Sequence, residues 1–474
     1  MNTTTYSIEQ ANRFIKEKEE EVKNTKYRLG YHIAAPTGWI NDPNGLVFFR
    51  GEYHVFYQYY PYEAEWGPMH WGHAKSKDLI NWEALPVALA PEFDYEKGGC
   101  FSGSAVVFQD KLYLIYTGHN EEKNPKEVQC IAVSEDGIHF RKSESNPVIP
   151  SPPEDGSEDF RDPKVSFRDG KWHMVVGSGK DGKGKVLTFT SQDLETWHYE
   201  GVLLESDGEQ GTMWECPDLF TIGEYDVLIF SPMEMEGSKT RYVIGKIDEQ
   251  NKFNPINNDE IDFGPDFYAP QTFEDNKGRR LLISWMNMWK KEMPEKEDGW
   301  AGALTIPREL SIKDQKLIMT VPEEFKELRG NLLENSKGIL QHDKMVKPLR
   351  NLCIEVHANI SLKETDAEVI GLEVVSELEE RFFIGYNRSY GNLIVDRTKM
   401  KKGDKDKVEV QYKKDNNINF EMYFDTSSVE LFVDEGEKVL SHRIYFAGEH
   451  LNIRNLSANG MTDYHDLKIW QLNI

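Results

Sequence analysis

Beyond its first thirty residues, the chain carries its hydrophobic positions in short runs split by tight polar turns, and the runs recur. Residues 44–57, 103–116, 162–175, 217–230 and 270–283 each read as strand, turn, strand, with starts 59, 59, 55 and 53 residues apart. A second repeat is interleaved with the first. Ser76-x-Asp78, Ser134-x-Asp136 and Ser191-x-Asp193 are each followed four residues on by a ring (Trp82, Phe140, Trp197). Ser and Asp so placed satisfy backbone groups of a turn, so this unit reads as the turn ahead of an outer strand. Five copies of a four-stranded unit predict a five-bladed β-propeller over residues 28–330. An ordinary β-sandwich gives no reason for a period near 57 residues.

The flanks follow other patterns. Residues 1–27 are predicted as an N-terminal helical extension, with Ile8, Ala11, Phe14 and Ile15 on one face among Glu and Lys. The pattern stops near Leu328, and the polar stretch 331–350 predicts a linker. Strict alternation then begins: Leu352, Ile354, Val356, Ala358, Ile360 and Leu362 point one way, with Cys353, Glu355, His357, Asn359 and Ser361 opposite. Further runs at 369–375, 382–386, 408–412, 418–424, 429–433, 439–446 and 467–474 predict a β-sandwich over 351–474. The fold class is therefore all-β, a five-bladed propeller followed by a C-terminal sandwich.

Composition narrows the partners. Across 474 residues, 56 basic against 81 acidic side chains leave a net charge of −25 with no basic cluster to offset it. Nucleic acid and anionic membrane are excluded as natural partners, whereas a neutral sugar is not repelled. Met1 to Gly30 is polar, with no apolar core of a secretory signal, and no run approaches membrane-spanning length. Cys100, Cys130, Cys216 and Cys353 show no paired spacing, which fits reduced thiols. These features predict a cytoplasmic protein. Oligomeric state is not legible.

Three acidic signatures sit in phase with the repeat: Trp39-Ile-Asn-Asp-Pro-Asn-Gly45, Phe160-Arg-Asp-Pro163 and Trp214-Glu-Cys-Pro-Asp218. Each sets a carboxylate beside or near a proline just ahead of a strand. Any one of them makes a serviceable turn; three at similar places in the first, third and fourth copies do not need three turns. Propeller strands start near the central channel, so Asp42, Asp162 and Glu215 are predicted to share one funnel. Carboxylates crowded into one dry cleft cannot all ionise freely, which creates a proton donor at neutral pH. Paired carboxylates of this kind cleave glycosidic bonds. His70 and His73, three apart in a strand, face opposite sides and predict no metal site. Cys216 has no histidine partner in sequence and reads as packing beside Glu215.

These three strings, in this order, resemble the signature set of glycoside hydrolase family 32, the β-fructofuranosidases: invertases, sucrose-6-phosphate hydrolases, levanases and inulinases. Supporting stretches are Phe56-Tyr-Gln58, His70-Trp-Gly-His73, Gly99-Cys-Phe-Ser-Gly-Ser104, Phe267-Tyr-Ala-Pro-Gln271, Ser284-Trp-Met286 and Asp425-Thr-Ser-Ser-Val-Glu430. The resemblance runs from about residue 28 to the end. It implies that Asp42 is the nucleophile, Glu215 the general acid/base and Asp162 the transition-state stabiliser. It also implies a fructose pocket built with Asn41, Gln58, Trp66, Phe101, Ser102, Arg161 and Trp285. For Trp66 and Trp285 a role in the core is the alternative. The chemistry needs no metal and no organic cofactor.

The reading that follows is retaining hydrolysis of the β-fructofuranosyl bond of sucrose, sucrose-6-phosphate or short fructo-oligosaccharides through a fructosyl-aspartate. An exo-acting fructanase is the alternative within the family. From another class, a non-catalytic sugar-binding propeller would need no acid/base pair. For a substrate phosphate, the rim segment 234–242 offers Lys239 and Arg241 on one side of an extended hairpin, beside Glu234 and Glu236.

Overall fold

The computed structural model describes residues 6–235 and 239–474. A single α-helix, α1 (Ile8–Val22), opens them; Ser7 caps it by accepting from the Gln10 N–H at 3.2 Å. Its apolar face, with buried Ala11 flanked by Ile8 and Ile15, packs on the outside of the first blade. Asn12 fastens it there by accepting from the Val87 N–H at 2.9 Å. Among the described residues no helix is long and apolar enough to cross a membrane.

The repeat folds into five antiparallel sheets whose strands follow chain order outwards. The innermost strands are β1 (Gly38–Phe49), β2 (Gly99–Phe108), β3 (Phe160–Arg168), β4 (Trp214–Ile222) and β5 (Tyr268–Glu274). They touch one another in a closed ring. The ring is latched by the two-residue strand Trp300–Ala301, which leaves the fifth blade to pair in parallel with Gly38 and Trp39 of β1. This is a five-bladed propeller, with hydrophobic layers such as Val106, Ile115, Phe160 and Met174 sandwiched between neighbouring blades. The Ser-x-Asp turns form as the sequence predicts. Ser76 Oγ accepts from the Asp78 and Leu79 N–H groups, Asp78 accepts from Ile80 and Asn81, and the Trp82 indole closes the turn onto the Leu79 carbonyl. Ser191, Asp193 and Trp197 repeat this geometry.

Every innermost strand carries a β-bulge near its start. In β1, Asn41 and Asp42 stand against the single Gln58; in β3, Asp162 and Pro163 stand against Val176. In β4, Cys216 and Pro217 oppose Phe230; in β5, Ala269 and Pro270 oppose Ser284; in β2, Ser102 is the extra residue. A bulge re-aims side chains and leaves one residue out of the ladder, where a proline without an N–H loses nothing. The recurring acid-near-proline pattern is thus the sequence mark of a bulge facing the channel.

The C-terminal half is a sandwich of two six-stranded sheets. Residues 331–350, expected as a linker, are instead strands: β6 (Arg329–Gln341) and β7 (Val346–Leu349), one at the edge of each sheet. Edge strands bury little, and β6 alternates only between half-buried and exposed, so no apolar stripe marks it. Leu451–Ala458 is a further unanticipated strand. Two of its inward positions are polar, Asn455 and Ser457, and both are satisfied internally; Asn455 accepts from the Met345 N–H at 2.8 Å and donates to the Gln341 carbonyl at 2.6 Å. The short strand Asn392–Asp396 also escaped the pattern.

The two domains are joined by buried charge. His32 bonds Asp425 at 2.8 Å and Glu430 at 3.0 Å, and Arg308 bridges Glu430 and Asp262, all with fully buried side chains. Asp425 also accepts from the Gly30 and Tyr31 N–H groups. The stretch 425–430 therefore acts at the domain seam. A buried charge stripped of its partner costs about 3–5 kcal/mol, so loss of one partner at this seam is expected to destabilise the protein by that order.

Candidate active site

Where the five innermost strands begin, the channel opens into a cavity of about 820 Å³. Blade one delivers Asn41 and Asp42, blade two Phe101 and Ser102, blade three Arg161 and Asp162, blade four Glu215, and blade five Tyr268. The bulges aim several of them. Asp162 sits at φ 66°, Cys216 at 48° and Ala269 at 51°, left-handed conformations that only Asp among these adopts readily. The strain at Cys216 and Ala269 is held by the ladder around them.

Donors surround each carboxylate. Asp42 accepts from Ser102 Oγ at 2.6 Å and from Asn41 Nδ2 at 3.0 Å, and Asn41 is oriented by the Trp39 indole at 2.8 Å. Asp162 Oδ2 accepts the Cys216 N–H at 2.9 Å. The Cys216 thiol lies 3.5 Å from both Asp42 Oδ2 and Asp162 Oδ2, bridging the two carboxylates. Glu215 is held on both oxygens, by Arg161 at 3.0 Å and 3.2 Å and by the Tyr268 hydroxyl at 2.6 Å. Arg161 divides its guanidinium among Glu215, Glu127 and Asp159.

The electrostatics follow from crowding. Burial raises the Asp42 carboxyl above its ordinary value, and the Ser102 and Asn41 hydrogen bonds pull it back. Asp162 is pushed up to about 8, first by burial; Arg161 opposes this while Glu215 and Asp42 add repulsion. Burial and the neighbouring carboxylates lift the Cys216 thiol far out of the reactive range.

A stability consequence can be measured. From about pH 4, where an unfolded aspartate ionises, to about 8, native Asp162 holds a proton that the unfolded chain has lost. Its burial therefore makes stability fall as pH rises across that window. Asp162→Asn removes this penalty while its side-chain oxygen can still accept from Cys216. The variant is expected to melt above the parent by a margin that widens by roughly 2–5 °C between about pH 5 and about pH 8. Parallel melting curves at both pH values would show that Asp162 ionises normally.

Asn41, Gln58, Trp66, Phe101, Ser102 and Arg161 all line the cavity. Gln58 donates to the Cys100 carbonyl at 2.9 Å, Trp66 stands 48% exposed at the mouth, and Phe101 lies flat on His119. Trp66 is thus not a core residue. Trp285 is the correction: it is fully buried and outside the lining, in a layer beneath Trp39 and Trp289. The indole that reaches the cavity is Trp289, four residues on and 39% exposed, stacked on Trp39. Its signal was present, an aromatic ring in an otherwise charged loop. Tyr268 was also legible, since it stands at the start of the fifth repeat. Glu127 begins the third strand of its blade, outside the motif phase, and no sequence pattern marks it.

At the rim, Lys239 lines the cavity, with its ammonium 2.9 Å from the Phe263 carbonyl and 3.5 Å from Glu260. Arg241, expected beside it, lies off the lining and donates to Asn258 at 3.1 Å. The strand begins only at Arg241, so strand alternation does not extend back to Lys239. Glu236 lies outside the described residues. His70 and His73 do not meet: His73 pairs with His54 at 2.9 Å, and His70 bonds the Pro68 carbonyl.

Residues 32–322 match the profile of the glycosyl hydrolases family 32 N-terminal domain, and residues 324–471 that of the family's C-terminal domain. A sucrose-6-phosphate hydrolase of Escherichia coli is 38% identical over 96% of this chain and 97% of its own length. Among solved structures, a Bombyx mori family 32 β-fructofuranosidase, also determined as a variant in complex with sucrose, superposes with a TM-score of 0.87 at 35% identity, covering 98% of each chain. A Lactobacillus gasseri sucrose-6-phosphate hydrolase gives a TM-score of 0.87 at 27% identity, covering 99% of each chain.

Proposed function

The chain belongs to glycosyl hydrolase family 32, and from that premise we propose that it hydrolyses the β-fructofuranosyl bond of sucrose and of sucrose-6-phosphate with net retention. It is a glycoside hydrolase acting on a small sugar, as its full-length relatives are. The observation that carries the residue-level reading is the convergence of three carboxylates from three blades in one cavity, with both Asp42 oxygens and both Glu215 oxygens already oriented.

In this reading the fructosyl ring lies over Asp42 and Asp162. Asp42 attacks the anomeric carbon as Glu215 gives its proton to the departing glucosyl oxygen, leaving fructosyl-Asp42 and free glucose. Water then enters where glucose left; Glu215 takes its proton, the hydroxyl bonds the anomeric carbon, and Asp42 is released. Hydrogen bonds from Ser102 and Asn41 favour the ionised form of the attacking carboxylate and offset part of the rise that burial causes. Asp162 holds ring hydroxyls whose bonds strengthen as positive charge develops. A cytoplasmic setting, with imported small substrates, fits four free and buried cysteines.

Two inversions at the anomeric carbon give retention, so β-fructose must appear first. Early NMR time points during sucrose hydrolysis check this. α-Fructose as the first product would exclude the covalent intermediate, and no turnover of either substrate would remove the assignment itself.

A further inference from the structure

Resting on the reading above, we infer that the 6-phosphate of a phosphorylated substrate is held at the seam of blades four and five by Lys290 and Lys291, with Lys239 beside them. The direction of the leaving group decides the side. Glu215 protonates the departing oxygen, so the glucosyl unit lies beyond Glu215. One Glu215 oxygen faces Arg161, which abuts Met233 of blade four, and the other faces Tyr268 of blade five. From there the lining continues outwards through Met288 and Trp289 to the lysines. A glucosyl ring packed against the exposed Trp289 indole would carry its 6-position towards the two residues that follow in the chain.

Charge balance separates this side from the other. The cation near blades two and three, Lys126, contacts Asp159 at 3.1 Å, a carboxylate it shares with Arg161, and Glu121 and Glu127 also line that wall. A phosphate dianion there would meet carboxylates. On the blade four and five side, beyond Glu215, the acid among the described lining residues is Glu234, which accepts from Thr212 at 2.8 Å. Lys290 is exposed and, among the described residues, has no ion-pair partner. Lys291 contacts Asp404 at 2.8 Å and Asp406 at 3.8 Å, but both carboxylates also serve Arg397. Arg397 has a third carboxylate in Asp266 at 2.8 Å, so Lys291 is ion-paired and positioned, and Lys290 is the cation of this side left for a phosphate. The same charges act on His442, buried in the sandwich strand Lys438–Arg443. Its imidazole is held well below the ordinary value, first by burial and then by Arg397, with Lys239 and Lys291 adding to it against Asp406. The site takes a phosphomonoester; lysines act here as point charges without the fork that would fix orientation.

The test compares two substrates on one variant. Lys290→Ala/Lys291→Ala is expected to raise KM for sucrose-6-phosphate about tenfold or more while kcat/KM for sucrose stays within about threefold. Adding Lys239→Ala should deepen the phosphate-specific loss. In the parent enzyme, kcat/KM for sucrose-6-phosphate should fall with added NaCl, and the value for sucrose should not. Equal losses on both substrates, an unchanged sucrose-6-phosphate KM, or a larger phosphate-specific loss from Lys126→Ala would overturn the assignment. Sucrose turnover by the variant reports its fold, and sucrose turnover by the parent reports the underlying activity, so the two failures are distinguishable.

Discussion

Asp42→Asn is expected to lower kcat for sucrose by about 10⁴-fold or more while sucrose still binds, because an amide cannot form the acyl-linked intermediate. The environment sharpens the expectation. Asp42 takes hydrogen bonds from Ser102 on one oxygen and Asn41 on the other. An amide offers one acceptor where the site provides donors to two, so the residue also loses its alignment. Asp42→Ala should be equally inactive, which separates missing chemistry from misorientation. Calorimetry should find sucrose affinity within about tenfold of the Michaelis constant of the parent. Rapid acid quench of the parent enzyme during turnover should leave one fructosyl unit on the peptide that contains Asp42. A variant retaining more than about a hundredth of the activity, or an adduct on another peptide, would assign the nucleophile elsewhere.

Glu215→Gln should split substrates by leaving group. Sucrose expels a poorly acidic hydroxyl, and loss of the proton donor is expected to cost about 10²–10⁴-fold in kcat/KM. An aryl fructoside with an acidic phenol leaves without help, so its first step should slow far less. The glutamine keeps one oxygen for the Tyr268 hydroxyl, but its NH₂ then faces Arg161, which retains Glu127 and Asp159 as partners. A modest fall in Tm is therefore expected, and melting curves check that the fold is kept. An equal loss on both substrates, with the second step shown not to limit turnover, would remove Glu215 from the acid role. Together with the Asp42 result this also disposes of a binding-only propeller, for which neither substitution should matter beyond affinity.

The sandwich shows what patterning reads well and what it does not. Its central strands were legible because both ends of the argument were local: alternation in 352–362 marks a strand with one buried face, and Ile354–Ser361 is that strand. Its edges were not, because β6 is stabilised through backbone pairing with the C-terminal strand while its side chains stay largely hydrated. Ladder hydrogen bonds leave no trace in side-chain hydrophobicity. The buried Asn455 and Ser457 make the same point from the interior, where polar side chains satisfied by neighbouring backbone erase the alternation.

In the propeller, the sequence alone determined the period, the blade count and the phase of the three acids within the blade. A repeat is a local property copied along the chain, and position within it maps directly onto distance from the central axis. That is why Asp42, Asp162 and Glu215 could be assigned to one cavity before any coordinates. Tertiary structure decided what depends on depth and neighbours. Whether Trp285 or Trp289 faces the cavity turns on which indole Trp39 covers. Whether Arg161 serves Glu215 alone turns on Glu127, brought in from another blade. Whether Lys239 and Arg241 share a side turns on where a strand starts. Each of these is fixed by contacts between segments far apart in the chain, and packing of that kind leaves no periodic signature in either segment.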